Sequence, residues 1–342
     1  MANANPSRIG QNQGTGATDA LWLDVFGGEV FTAFEMAVKM KGKVRERTIG
    51  SGRSARFPAM YKAVGQYHVP GTEIAGQGLL HGEITLTTDD LLIAPAEIAQ
   101  IDELKNHYDV RGPYASELGR ALATIYDRMV SQSIIAASRG AELFAGDGGG
   151  SKVVQTDVGV SADFSTSGSD LWEAVKASVQ AMDVKDVPVE QIPVYAAFLP
   201  AQWYLMATAN MNVDRDFNGG DVTSRKLALP NAYGVEVIKS NALLFGKDVT
   251  AYNAGTNADG LVGKPNDVRY GLPATFPSKY QGDNANTKGI VWTDAAAGVL
   301  NLLGLQMEQE WDARRQVTFM LAKMASGAGP LRTKCAVEIA TS

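Results

Sequence analysis

The apolar positions of this chain change period several times, and each period predicts a different element. Residues 1–20 show none: they are rich in Gly, Asn, Gln, Ala and Thr and read as a mobile arm. In LWLDVFGGEVFTAFEMAVKM (21–40), Phe26, Val30, Phe34 and Val38 fall four apart and predict a helix face. Gly27 and Gly28 interrupt it early and suggest a turn or a short extended start. Leu118, Leu122, Ile125 and Met129 form a cleaner stripe, with Glu117, Arg120, Thr124 and Arg128 on the other side. A helix over 110–139, stopped by Gly140, would be about 45 Å long at ~1.5 Å per residue. The average helix has only ~11–12 residues, so this one reads as a spine.

Beyond it, Leu171, Val175, Val179 and Met182 mark another helix, opened by Ser169 or Asp170. IPVYAAFLP reads as a buried strand, AQWYLMATAN as a helix and YGVEVIKSNALLF as a strand running into a turn. Strand and helix alternate from about 170 to 250, which predicts a compact α/β unit. Residues 253–288 are loop-rich, and strands with short helical pieces are expected from there to the C-terminus. No repeat of 20–50 residues is present.

The stretch from Thr48 to Ala94 behaves differently. Its first part is extended and polar and carries Arg53 and Arg56. Its middle, QYHVPGTEIAGQGLLHG, is dense in turn signals, and EITLTTDDLLIA alternates as a strand with Glu83, Asp89 and Asp90. Together they predict a long hairpin with few large apolar residues for its length. An isolated two-stranded ribbon is marginal in water, so a partner surface is its natural place.

Just before it, Lys39, Lys41, Lys43, Arg45 and Arg47 alternate strictly. A strand would put all five cations on one face, suited either to phosphates or to an acidic neighbour. The chain as a whole is acidic, with net charge −6. Contact with nucleic acid would therefore be a local patch and not the business of the whole surface. With 342 residues, 45% hydrophobic and 20% charged, the chain can bury a sizeable core. The N-terminal residues show no signal-peptide core and no run approaches ~18 apolar residues, so an intracellular, soluble chain without membrane spans is expected.

Candidate chemistry is sparse. The single cysteine, Cys335, excludes a disulfide framework or a thiolate cage, and in KCAVEIA it reads as a small buried apolar residue. Asp214, Asp216, Asn218 and Gly219 match a calcium loop in part, with Gly220 next. However, Arg225 stands where the bidentate glutamate belongs, which favours an Asx-rich turn. GQGLLHG and GDGGG match neither a dinucleotide fingerprint nor a P-loop. NHYDVRGPY brings His107, Asp109 and Arg111 together, but a capped corner accounts for every residue. Asp102 would cap one short helix and Asp109 the spine, and Pro113 would occupy the first turn, where its missing N–H costs nothing. No catalytic, cofactor-binding or metal-binding residue is assigned.

Five blocks carry a family likeness. VFGGEVFTAFE (25–35), RERTIGSGRSARFP (45–58), NHYDVRGPYASELG (106–119), YGVEVI (233–238) and GAGPLRTKCAVEI (327–339) resemble, in order, the major capsid protein of T-seven-type short-tailed bacteriophages. The resemblance implies an α+β fold of the Hong Kong 97 capsid type. On this reading 1–47 form an N-terminal arm and 48–94 an extended loop, a long hairpin lying over a neighbouring subunit. Residues 95–168 form a peripheral domain with the spine at about 110–139, 169–288 an axial domain, and 289–342 return strands completing both.

The implied function is a shell: many copies in pentamers and hexamers enclosing packaged double-stranded DNA, with no enzyme activity and no cofactor. A scaffolding protein and a portal are implied as partners, with room for a decoration protein, in a virion assembled in the host bacterial cytoplasm. Arg53, Arg56, Glu83, Asp89 and Asp90 are expected at intersubunit contacts, and the stripe Lys39–Arg47 against a neighbour or the DNA. His107, Asp109 and Pro113 are expected to be structural. Some relatives cross-link through a lysine in the extended loop; Lys62 is the only lysine there, and nothing around it marks it as reactive. Two alternatives stay open: an encapsulin-like cellular nanocompartment shell of the same fold, and a solitary α/β enzyme.

Overall fold

The computed structural model describes residues 20–74, 76–101, 111–159, 161–209, 232–250 and 276–341. His107, Asp109, Asp102 and the calcium-like segment 214–225 lie outside the described residues. In chain order the strands are β1 (Arg45–Thr48), β2 (Ser54–Met60), β3 (His81–Thr87), β4 (Leu92–Ala99), β5 (Ser151–Val154) and β6 (Val194–Phe198). They continue with β7 (Val235–Lys239), β8 (Thr287–Thr293), β9 (Ala297–Asp312), β10 (Val317–Pro330) and β11 (Ala336–Ala340). Helices span Ala20–Ala37, Arg111–Ser138, Gly168–Asp183 and Pro200–Thr208. The chain forms two compact units, each discontinuous in sequence.

The first unit takes residues up to Val38, Asp89–Tyr126 and Leu302–Ser326. Its helix Ala20–Ala37 runs through Gly27 and Gly28 without a break. Val30 and Phe34, from the expected stripe, are buried, and Phe34 meets Tyr126 edge-on with ring centroids 6.2 Å apart. β4 pairs antiparallel with β10, from Leu92↔Met324 to Ala99↔Val317. Alternate residues of that pair, Ala94, Ile98, Met320 and Ala322, are buried, as period two requires. After residue 289 the expected strands dominate: β9 and β10 run for 16 and 14 residues, each alternating in burial over part of its length, and the short helical piece among the described residues there is Thr333–Cys335.

The second unit takes Lys39–Thr88, Asp127–Asn301 and Gly327–Ser342. Its centre is a five-stranded sheet ordered β5-β11-β8-β6-β7. β6 pairs parallel with β7 and antiparallel with β8, which pairs antiparallel with β11. β6 and β8 are buried along almost their whole length; β6 accordingly reads as the apolar run VYAAF, and β8 has the apolar run IVW at its centre, flanked by Thr287, Lys288 and Thr293. Helix Gly168–Asp183 starts earlier than expected: Ser167 is its cap, and its hydroxyl accepts the amide of Asp170 at 3.3 Å. Trp172, Leu171, Val175 and Met182 form its buried face, and the Trp172 indole N–H donates to the Met206 carbonyl at 3.1 Å.

The spine matches its expected span within a residue at each end, Arg111–Ser138, with Pro113 in its first turn. One difference is large. Beyond Ile125 it is buried on nearly every side, polar residues included: Asp127, Arg128, Ser131, Gln132 and Ser133 are all buried. Arg128 was expected on a polar face; its Nε instead donates to the Ala242 carbonyl at 2.9 Å. Ser131 and Ser133 donate to carbonyls of their own helix, at 3.0 and 2.9 Å, so burial leaves these hydroxyls satisfied.

Asp127 fastens the turn at 39–40. Its carboxylate accepts the amides of Lys39, at 3.1 and 3.0 Å, and of Met40, at 3.0 Å. Burial pushes its pKa up to about 6, against the opposing pull of those two amides. A carboxyl whose folded pKa is raised stabilises most while protonated, so its contribution is full below about pH 4 and is lost as pH rises through about 6. The change is on the order of 2–3 kcal/mol. Asp127→Asn keeps an acceptor without the charge, so the unassembled subunit's stability should lose most of its pH dependence between about 4 and 6 in urea titrations. A wild-type slope left unchanged in the variant would contradict this.

Candidate functional site

The ribbon of β2 and β3 is antiparallel, from Ser54↔Thr87 to Met60↔His81. The expected hairpin is therefore present, with its paired length confined to these strands. The strand expected through Ala94 breaks after Thr87, and β4 pairs with β10. The paired part is less of a free projection than its sequence predicts. Ala55, Ala59 and Leu86 alternate onto one face and are buried, and Lys279 Nζ donates to the Thr87 carbonyl at 3.2 Å.

The segment between the strands is different. The amide of Tyr61 donates to Leu80 O at 3.0 Å and closes the ribbon. Beyond that bond the described residues of 62–80 are exposed throughout and have no strand or helix. Tyr67 is fully exposed, Val64 is 70% and Ile74 72% exposed, and Val69 and Leu80 are also exposed. The segment carries one carboxylate, Glu73, and Lys62 as its only cation at neutral pH. Few bonds hold its shape: Thr72 to Val69, by amide and hydroxyl, and the Val64 amide to Gln77 Oε1 at 3.2 Å.

The charged candidates occupy the ribbon. Arg56 and Glu83 pair with each other across it at 3.2 Å, both more than half exposed. Arg53 has an exposed side chain with no carboxylate partner among the described residues, while its carbonyl accepts both the amide and the hydroxyl of Thr88. Asp89, half-buried, donates its amide to the Ser326 carbonyl at 3.3 Å, and Asp90 follows it, exposed, in the break before β4.

The basic stripe does not form one strand face. Only Arg45 and Arg47 belong to a strand, β1, which runs parallel to β9 from Arg45↔Gly298 to Thr48↔Asn301. Met40 and Val44 are buried and Gly42 has φ +76°, so the chain turns where alternation predicts extension. The cations scatter accordingly. Lys43 pairs with Glu236 and lies 4.6 Å from the Tyr195 ring centre. Arg45 faces Asp294 at 3.8 Å, and Arg47 donates to the Arg56 carbonyl at 3.0 Å above the Phe57 ring. Lys39 and Lys41 have exposed side chains.

Magnitudes decide which feature can drive association. An exposed ion pair contributes ~0–1 kcal/mol. Burying a Val, Leu or Ile side chain contributes ~1.5–3 kcal/mol, so the apolar residues of 62–80 together offer on the order of 10 kcal/mol before ordering costs. The apolar loop outweighs the charges around it. In the sequence the charges stand out because the glycine density of the segment marks it as a run of turns. The signal for the loop was also there: Val64, Tyr67, Val69, Ile74, Leu79 and Leu80 fall in a region with no period that could bury them.

Among the described residues no group of His, Cys, Asp or Glu side chains has the arrangement of a metal site. No described helix is long and apolar enough to cross a membrane. Cys335 is buried, as its setting predicts, and burial raises its thiol pKa.

The family model described as Gp10A-like major capsid protein matches residues 56–340. The chain belongs to the Gp10A-like major capsid protein family. Among relatives of this family, the major capsid protein of Escherichia phage T7 is 29% identical over 347 residues, covering 96% of this chain and 95% of that protein. The capsid of cyanophage P-SCSP1u has a chain 31% identical to this one, with a TM-score of 0.69, covering 100% of this chain and 99% of that one. The bacteriophage PhiM1 mature capsid shares the fold at a TM-score of 0.66 and 13% identity, covering 89% and 87% of the two chains. The Hong Kong 97-type α+β fold implied by the five sequence blocks is the fold of this chain. As a Gp10A-like capsid protein it is a subunit of the icosahedral phage head shell. Its homologues are structural proteins, and nothing favours the nanocompartment alternative.

Proposed function

We propose that copies of this chain associate chiefly through the exposed apolar segment 62–80, which lies on a neighbouring subunit of the shell. The observation that carries this reading is the exposure of Tyr67, Val64 and Ile74 in a segment that its own subunit leaves uncovered. Residues 1–47 then act as the arm, 48–94 as the extended loop, 95–168 as the peripheral domain with the spine, and 169–288 as the axial domain, completed by 289–342. Arg53, Arg56, Glu83, Asp89 and Asp90 tune the fit: Arg56 and Glu83 exchange partners between subunits, and Arg53 meets a neighbour's carboxylate. Of the basic stripe, Lys39 and Lys41, whose side chains are exposed, meet a neighbour or packaged double-stranded DNA. A scaffolding protein and a portal complete assembly in the host cytoplasm, and the chain performs no catalysis.

Replacing Tyr67 and Ile74 by serine should leave the subunit folded, because neither side chain is buried in it. Shell formation should fall at least about tenfold, since losing ~3 kcal/mol per contact changes association by more than that. Sedimentation velocity with a scaffold checks both. Normal yields of shells from the doubly substituted protein would overturn the assignment of 62–80.

A further inference from the structure

The far end of the paired ribbon is fastened to its own subunit. Phe144 packs against Tyr61, ring centroids 5.5 Å apart and the planes tilted by 48°, and the end of its ring also reaches β3 at Gly82. A Cβ built at Gly82 would stand 3.1 Å from Phe144 Cζ, so the absence of a side chain there makes room for the ring. One residue beyond Tyr61, Lys62 Nζ pairs with the carboxylate of Asp186. Asp186 adopts φ 57°, a left-handed conformation uncommon outside glycine and asparagine. The loop bearing Phe144 is itself held: Glu142 accepts the amide of Gly146 at 2.9 Å, and Lys334 pairs with Asp147 at 2.8 Å.

We propose that Phe144, set between Tyr61 and Gly82, together with the Lys62–Asp186 pair, is a releasable latch. It holds the end of the ribbon on its own subunit and so fixes the angle at which 62–80 is presented to a neighbour. The inference rests on the shell-forming role of that segment. Three features suit it to release and not to permanent closure. Phe144 is only half-buried, and both charges of the pair are largely exposed, so salt with a screening length of ~10 Å at 0.1 M weakens it. The ribbon's root is held separately by buried Leu86 and by the Lys279 contact, so opening the latch pivots the ribbon without unpairing it. Any change of hairpin angle between positions in the shell requires this latch to open.

Hydrogen–deuterium exchange on the unassembled subunit tests the latch separately from assembly. Phe144→Ala should raise exchange at the amides of 57–62 and 80–84 by about tenfold, with the rest of the chain unaffected. Gly82→Val should do the same by displacing the ring. Because valine favours a strand more than glycine does, weakened pairing cannot explain its effect. Lys62→Asp should raise exchange less, and adding Asp186→Lys should restore it. Unchanged exchange in both Phe144→Ala and Gly82→Val would overturn the latch. Increased exchange in Phe144→Ala with protection retained in Gly82→Val would also overturn it, by assigning Phe144 a general packing role. Failure of shell assembly in wild-type protein would count against the reading of 62–80 and leave these exchange results to decide the latch.

Discussion

Arg139→Ala should destabilise the subunit by about 3 kcal/mol, the low end of the ~3–5 kcal/mol seen when one partner of a buried ion pair is removed. Glu338 lies in β11 with its side chain 1% exposed, and Arg139 meets it with two parallel bonds, Nη2 to Oε1 at 2.6 Å and Nε to Oε2 at 2.7 Å. Thr287 adds its hydroxyl to Oε1 at 2.5 Å, and Arg139 Nη1 reaches the Asp283 carbonyl at 2.8 Å. The guanidinium thus ties the residue after the spine to the sheet and to the loop before β8. Its bond to Glu338 raises its own pKa above the ordinary value. Alanine would leave the carboxylate buried with Thr287 as its remaining side-chain donor. Arg139 is 39% exposed, so water can reach part of the gap, which is why the low end of the range applies. The double variant Arg139→Met, Glu338→Leu removes the stranded charge and should recover much of the loss. Thermal unfolding of the unassembled subunit measures all three. A double variant as unstable as Arg139→Ala would show that the pair's charges are not what matters.

Gly168→Ala should cost 3 kcal/mol or more, at or beyond the top of the ~1–3 kcal/mol typical of overpacking. A Cβ on Gly168 would fall 2.0 Å from the carbonyl oxygen of Leu205 and 2.6 Å from its carbon. Backbone cannot swing away as a side chain can, so helices Gly168–Asp183 and Pro200–Thr208 must separate. Trp172 lies one turn along the same helix, and its bond to the Met206 carbonyl would lengthen with that separation. The expected signature is therefore a fall in urea midpoint accompanied by a change in near-ultraviolet circular dichroism. Gly78→Ala is the control, because nothing lies within 4 Å of the position its Cβ would take. Equal effects at the two positions would contradict the close approach.

These two sites also show what one chain can and cannot announce. Elements with a strong period were legible: the spine's stripe from Leu118 to Met129, the apolar run in VYAAF and the amphipathic helix ending at Asp183 all form where their patterns place them. The five family blocks carried the fold and the shell function. Alternation misled at Lys39–Arg47 because cations every second residue describe a strand only if the residues between them share a face. Met40 and Val44 are drawn inward instead, and Asp127, distant in sequence, clamps the turn. Partnerships of this length leave no local trace: Arg139 and Glu338 are 199 residues apart, and Lys62 and Asp186 124. Gly168 was invisible for a related reason, since its neighbour Leu205 belongs to another helix. The loop 62–80 failed to stand out for the opposite reason. Its apolar residues lack any period because no surface of their own subunit orders them.

We infer that copies of this chain join into a shell through 62–80, a segment whose described residues are exposed on their own subunit. Cryo-electron microscopy of the protein produced with a scaffold tests it most directly. Icosahedral particles are expected in which residues 62–80 of each subunit lie against the next, with Tyr67 and Ile74 buried. Icosahedral particles in which that segment stays solvent-exposed would contradict the proposed contact, and a subunit that remains monomeric under every condition would contradict the shell itself.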